Sequence, residues 1–248
     1  MMLKYILFLA LLATSQVGFT QTAAEIIRKV EDKMQGNSNR SVMTMTIVRP
    51  DWKREITMKG WSLGRDYSLI LITAPARDKG QAFLKRDNEM WNWQPSIDRV
   101  VKLPPSMMMQ SWMGSDFKND DLVKESSIVR DYDHYLRGDS TINGKKVFKI
   151  ELVPKPQAAV VWGKIVSFID KEEYNQMLVR YYDEDDILVN TMVLSNVKMM
   201  GGKLIPTKLE MIPADNPKQK TVVDYLEMEF DIDIKQDFFS LQNMKHIR

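Results

Sequence analysis

Cysteine is absent from all 248 residues. The chain therefore has no disulfide, no thiolate metal site, no iron–sulfur cluster and no cysteine nucleophile. Histidine is scarce, with only His134 and His246, and there is no Gly-x-Ser-x-Gly elbow to make either one part of a serine triad. No phosphate-cradling glycine loop is present. Charge of one sign is also in short supply: 35 Lys+Arg stand against 33 Asp+Glu. Nucleic-acid binding usually leaves a large basic excess, so this balance disfavours it as the main activity. No apolar run approaches the roughly 20 residues needed to cross a bilayer as a helix. These absences leave few parts for a catalytic centre.

What is present is ordinary globular material, 44% hydrophobic and 27% charged, which argues for a packed fold rather than disorder. Met1-Met2-Leu3-Lys4 precedes a nine-residue apolar run, Tyr5 to Ala13, and then small and polar residues. That order predicts a secretory signal peptide over residues 1–20, with cleavage near Thr20, and one soluble periplasmic domain over 21–248. Without cysteine the mature chain has no thioether-linked lipid anchor.

Thr22-Ala23-Ala24-Glu25 reads as a capping box opening an amphipathic helix, with Ile26, Ile27, Val30 and Met34 at helical spacing and Gly36 at its end. Beyond it the period shortens to that of strands. Met43, Met45 and Ile47 alternate with Thr44, Thr46 and Val48, and similar short runs recur to Phe230, separated by turn signals such as Asn143-Gly144 and Gly201-Gly202. The pattern predicts a mainly β (α+β) fold: one curved antiparallel sheet of about 11–12 strands, covered by the N-terminal helix. Leu103 to Leu122 breaks the rhythm. Pro104-Pro105 stops a strand, Ser106 opens a short helix holding Met107, Met108, Met109, Trp112 and Met113, and Asn119 caps another with Asp120 and Asp121 in its first turn. This segment is expected to form a helical lid.

Eighteen methionines and six tryptophans stand out. Thioethers adapt to variable apolar shapes, so the cluster at residues 107–113 is expected to cover something apolar, either core or ligand. Trp91 and Trp93 share one face of a strand and form either a wall for a ligand or packing for a cover. Asp183-Glu184-Asp185-Asp186 lacks the spacing of a calcium loop and reads as a solvated turn. His134, in Asp131-Tyr132-Asp133-His134, is a thin ligand set for a metal.

Asp78-Lys79-Gly80-Gln81-Ala82-Phe83-Leu84, then Trp91-x-Trp93-x-Pro95, Arg99-Val100, Gly114-Ser115-Asp116-Phe117 and Asp121-Leu122 together resemble the outer-membrane lipoprotein-sorting proteins of the LolA-like superfamily. The likeness is to the larger branch associated with RND-type exporters, and it runs from about Glu25 to Leu241. Trp93 departs from the tyrosine more usual there, and no arginine here is matched to the lid-locking arginine of the smaller relatives. The resemblance implies a LolA/LolB-like half-barrel around an apolar cavity, with no cofactor and no enzymatic activity. It implies acyl chains of lipids or lipoproteins as cargo, and an inner-membrane RND-type exporter or outer-membrane acceptor as partner. Membrane contact is expected to be peripheral only and the protein monomeric. The residues expected to touch cargo are Met43, Met45, Met58, Leu71, Trp91, Trp93, Met107, Met108, Trp112 and Met113. A periplasmic sensor, an accessory exporter subunit and a lipid hydrolase using His134 remain the alternatives.

Overall fold

The computed structural model describes residues 21–124, 128–158 and 160–248, so the expected export signal at 1–20 lies outside the described residues. The chain begins with helix α1 (Ala23–Gln35), and its capping box forms as the sequence predicts. The Glu25 amide donates to Thr22 Oγ1 at 3.2 Å and the Thr22 amide donates to Glu25 Oε2 at 2.9 Å. Two meanders follow. The first contains β1 (Ser38–Val48), β2 (Lys53–Leu63), β3 (Tyr67–Ala74), β4 (Ala82–Arg86), β5 (Glu89–Gln94) and β6 (Arg99–Lys102). The second contains β7 (Tyr132–Ile142), β8 (Lys145–Pro154), β9 (Lys164–Asp170), β10 (Gln176–Tyr182), β11 (Leu188–Met200), β12 (Lys203–Pro213) and β13 (Lys220–Phe230). Helix α2 (Asn119–Lys124) lies between the meanders and α3 (Leu241–His246) follows the second.

All thirteen strands form one antiparallel sheet in the order β6-β5-β4-β3-β2-β1-β13-β12-β11-β10-β9-β8-β7. The meanders join only where β1 pairs with β13, from Asn39↔Phe230 to Val48↔Lys220, with a bulge at Val42/Met43. Hairpin chemistry sets the register locally. Asn143 and Gly144 both take positive φ (49° and 78°), the backbone a two-residue turn with the native twist requires.

Twelve of the thirteen strands correspond to runs visible in the sequence. The addition is β7, an edge strand mostly exposed along its length and interrupted by a register shift between Leu136 and Asp139. It buries almost nothing, so it shows no apolar alternation, and its polar side chains suit an edge that must not recruit another strand.

The sheet's two faces carry separate layers. On the inner face, Ile26, Ile27 and Val30 of α1 pack on Ile150, Leu152, Ile165 and Met211 of the second meander. On the same face, Met45, Ile47, Ile56, Met58, Ile72 and Phe83 of the first meander form another cluster, covered by residues 103–118. The outer face of β3–β5 presents Leu69, Leu71, Leu84 and Trp93 to Phe239 and Met244 of the C-terminal segment. Phe239 is 1% exposed and packs against Tyr67 and Phe238, with ring centroids 5.8 and 5.3 Å away. Phe239→Ala is expected to cost about 3–5 kcal/mol of stability, read as a lower urea midpoint at unchanged slope.

Candidate functional site

Residues from β3 (Ile70) and β8 (Leu152) line one cavity of about 160 Å³. Along the sheet those strands are eight spacings apart, which at about 4.8 Å each is roughly 38 Å on a flat sheet. They share one small cavity only because the sheet curls, bringing the inner faces of the two meanders toward each other. The space is left where the two covers fail to meet, with α1 on one side and residues 103–122 on the other. Met43 forms its floor, directly opposite Met58 on β2 and Tyr225 on β13, at the bulge in the central ladder. Trp112 and Leu122 face it from the cover, and Val179, Met192 and Leu209 from the second meander.

The cover itself differs from the expected helical lid. Residues 105–107 and 112–114 are single 3₁₀ turns, Met113 sits at φ 52°, and only Asn119–Lys124 is α-helical. Pro104-Pro105 and the positive-φ pair Met113-Gly114 leave no room for an uninterrupted helix. Asn119 lies inside α2, and its side-chain amide donates to the Met107 carbonyl at 2.9 Å, tying the two halves of the cover together.

Side chains of the sheet hold this cover down. Arg49, just past β1, forms a two-pronged ion pair with Asp116, both bonds 3.1 Å, and also donates to the Gly114 carbonyl at 3.1 Å. Thr221 of β13 donates its hydroxyl to Asp116 Oδ2 at 2.6 Å and accepts from the Asp116 amide at 2.9 Å. Arg54 of β2 pairs with Asp78 at 2.7 Å and donates to the Met113 carbonyl at 3.3 Å. Burial works against the Asp78 carboxylate, but hydrogen bonding and charge from Arg54, helped by Arg77, outweigh it and hold the pKa below its ordinary value. On the far side, Trp162 donates its indole N–H to Asp121 Oδ1 at 2.9 Å, linking α2 to the second meander. Tyr132 donates to the Trp162 carbonyl at 3.3 Å, and burial with the nearby Asp120 and Asp121 charges pushes its phenol pKa up, so it stays protonated.

The structure divides the ten residues singled out in the sequence. Met43, Met58 and Trp112 line the cavity. Met45, Met108 and Met113 pack in the cluster beneath the cover, and Met107 is half-buried within the cover. Leu71, Trp91 and Trp93 stand on the opposite face, away from the cavity. The tryptophans do share a face, but Trp91 pairs with Leu84 and Trp93 with Ala82, which turns that face outward beneath the C-terminal segment. Lys245 lies 5.3 Å from the Trp93 ring centre. His134 accompanies no cavity residue in a catalytic pair; its Nε2 meets the Ile128 carbonyl at 2.8 Å, and burial lowers its pKa.

Sequence reading missed Arg49, which stands in Arg49-Pro50-Asp51 and reads as a turn marker. The cavity wall also contains polar groups no pattern announced, including buried Glu31 and the Trp112 indole N–H, which lacks a hydrogen-bond partner.

A family described only as an uncharacterized-protein-like group matches residues 64–246. Among curated proteins, none gives a significant match. Three solved structures share the fold over nearly their whole length. A DUF1329 family protein from Desulfovibrio piger is 22% identical with a TM-score of 0.82, covering 90% of this chain and 97% of that one. A domain provisionally described as outer-membrane lipoprotein-sorting, from Vibrio parahaemolyticus, is 21% identical with a TM-score of 0.79, covering 90% and 98%. A LolA superfamily protein from Nitrosomonas europaea is 21% identical with a TM-score of 0.78, covering 90% and 99%.

Removing the carboxylate that faces Arg49 leaves a largely buried guanidinium unpaired. Asp116→Ala is expected to destabilise the cover by about 3 kcal/mol, so that amide exchange over residues 107–117 accelerates about 100-fold while the β1–β13 ladder keeps its protection. Acid acts through Asp78. A carboxylate whose folded pKa is lowered contributes stability above its unfolded value of 3.8 and loses it as pH falls further. The protection factors of the same amides, taken relative to the intrinsic rate at each pH, are expected to hold from pH 7 to 5 and to fall below about pH 4, and Asp78→Asn should flatten that acid-side change.

Proposed function

We propose, on the premise that this chain belongs to the uncharacterized-protein-like family matched over residues 64–246 and has the LolA-like fold, that it carries acyl chains of lipids or lipoproteins and performs no chemistry on them. The observation behind this reading is the largely apolar cavity between two independent covers, one of them fastened by side-chain bonds rather than by continuous secondary structure. The expected export signal supports a periplasmic carrier. An inner-membrane RND-type exporter or an outer-membrane acceptor is the partner the reading calls for.

Magnitudes favour a moving cover. A chain of ~16 carbons costs on the order of 13 kcal/mol to hold in water, at about 0.8 kcal/mol per methylene. A carrier must replace nearly all of that with apolar wall. The cavity of about 160 Å³ is in the size class of one benzene-sized guest, for which about 150 Å³ suffices. On this reading the cover is closed, and the cavity has room for the end of a chain. Full loading requires residues 103–118 to lift from the Met45, Ile56, Met58 and Phe83 cluster and expose the rest of the inner face to the cargo. Met43, Met58 and Trp112 contact cargo first, joined on opening by Met45, Met108 and Met113.

Native mass spectrometry of the protein recovered from its own periplasm, with extraction of co-purifying lipid, tests the reading. A defined acyl species near one per chain is expected, and protein free of lipid that also fails to take up a fluorescent fatty acid overturns it. Filling the cavity separates binding from stability: Ile70→Phe with Leu209→Phe is expected to cut fatty-acid affinity at least about tenfold while leaving the thermal midpoint equal or higher, because the added rings enter empty space.

A further inference from the structure

The fold sorts the methionines by how easily a small molecule reaches their sulfur. Met45, Met58, Met90 and Met211 are sealed in the core. Among the described residues only Met109 and Met199 are exposed, at 58% and 68%. The cover gathers reachable sulfur into one stretch: Met107, Met108 and Met113 are half-buried beside exposed Met109.

These residues also fasten the cover. The side chains of Met108 and Met113 pack on the cluster that contains Met45, Ile56 and Phe83. Their backbones supply acceptors that hold the segment in shape. The Met107 carbonyl accepts from the Asn119 side chain at 2.9 Å, the Met108 carbonyl from the Asp120 amide at 3.1 Å, and the Met113 carbonyl from Arg54 at 3.3 Å. A methionine that leaves its seat therefore pulls on one of these bonds.

We propose that the cover is an oxidation-sensitive fastening, in which a hydroperoxide converts its thioethers to sulfoxides and the sulfoxides of Met108 and Met113 release it from the sheet. No cysteine competes for the oxidant. The thioether sulfur attacks the outer peroxide oxygen, a sulfur–oxygen bond forms as the oxygen–oxygen bond breaks, and the proton passes to the leaving oxygen. Sulfur is oxidised by two electrons and hydrogen peroxide is reduced to water. On Met109 the new polar group stands in solvent and costs nothing. On Met108 and Met113 it lies against hydrocarbon, and it regains hydrogen bonds by swinging out to water. Control of this kind needs a cover over the inner face, whatever cargo lies beneath it.

Hydrogen peroxide treatment of the full chain, followed by peptide mass mapping and amide exchange, tests this. Met107, Met108, Met109 and Met113 are expected to oxidise at least about tenfold faster than Met45, Met58, Met90 and Met211, because susceptibility follows exposure. Amide exchange over residues 107–117 should then accelerate at least about tenfold, while the β1–β13 ladder keeps its protection. Methionine sulfoxide reductases of both epimer specificities, with a dithiol that takes the oxygen as water and becomes a disulfide, should restore the slow exchange. Met108→Leu with Met113→Leu preserves the packing without sulfur: its untreated cover should be as well protected as the parent's and should stay so after peroxide, although Met109 and Met199 still oxidise. An oxidised parent whose cover exchanges as slowly as before overturns the proposal. So does a double leucine variant that loosens as much as the parent, or a loss of protection that spreads to the β1–β13 ladder.

Discussion

A curled sheet of thirteen strands offers more inner surface than one thirteen-residue helix can cover. The rest of the structure follows from that mismatch. Helix α1 is capped at both ends and buries one apolar stripe, enough for the inner face of the second meander and no more. The first meander needs a cover of its own, and the chain supplies it from the connection between the meanders. Since that connection is irregular, its backbone groups are satisfied by particular side chains: Arg49 and Arg54 reach carbonyls of residues 114 and 113, and Asn119 reaches that of Met107. A cover held by a few polar bonds around a methionine-rich underside is fastened at separate points, where a continuous helix is packed along its whole length.

Both covers converge on the β1–β13 ladder. Met43 and Tyr225, paired across it, stand in the cavity wall, and Arg49 and Thr221, at the other end of the same two strands, grip Asp116. The joint between the meanders is thus the floor of the interior and the anchor of its cover. A shift along this ladder by one residue would turn Met43 and Met45 outward and uncouple Arg49 from its partner. The bulge at Val42/Met43 adds local twist where the floor must bend.

The elements legible in the sequence are those whose cause is local. Thr22 and Glu25 form their reciprocal cap, Asn143-Gly144 makes its turn, and Asp183 closes the acidic hairpin by accepting from the Asp185 and Ile187 amides. The sheet as a whole is legible because apolar alternation reports burial. Strand β7 is not, because it buries little. The indole pair shows what alternation omits. It gives the shared face of Trp91 and Trp93 but not which way that face points, since direction depends on pairing with Ala82 and Leu84 and on a C-terminal segment that arrives about 150 residues later. Arg49 was invisible for a related reason: its partner Asp116 is 67 positions away, and nothing local distinguishes it from a turn residue. The Gly114-Ser115-Asp116-Phe117 element carries the other half of that contact, so the motif marked the site without naming the residue that holds it.

One ladder also orders events in time. Residues 39–48 wait for 220–230, so during synthesis β1 has only β2 beside it until nearly the whole polypeptide has emerged. Each meander condenses from neighbouring hairpins quickly, whereas their union closes a loop of about 170 residues and comes last. Through that interval β1 presents an unpaired edge rich in β-branched and thioether side chains, the kind that recruits a stranger's strand.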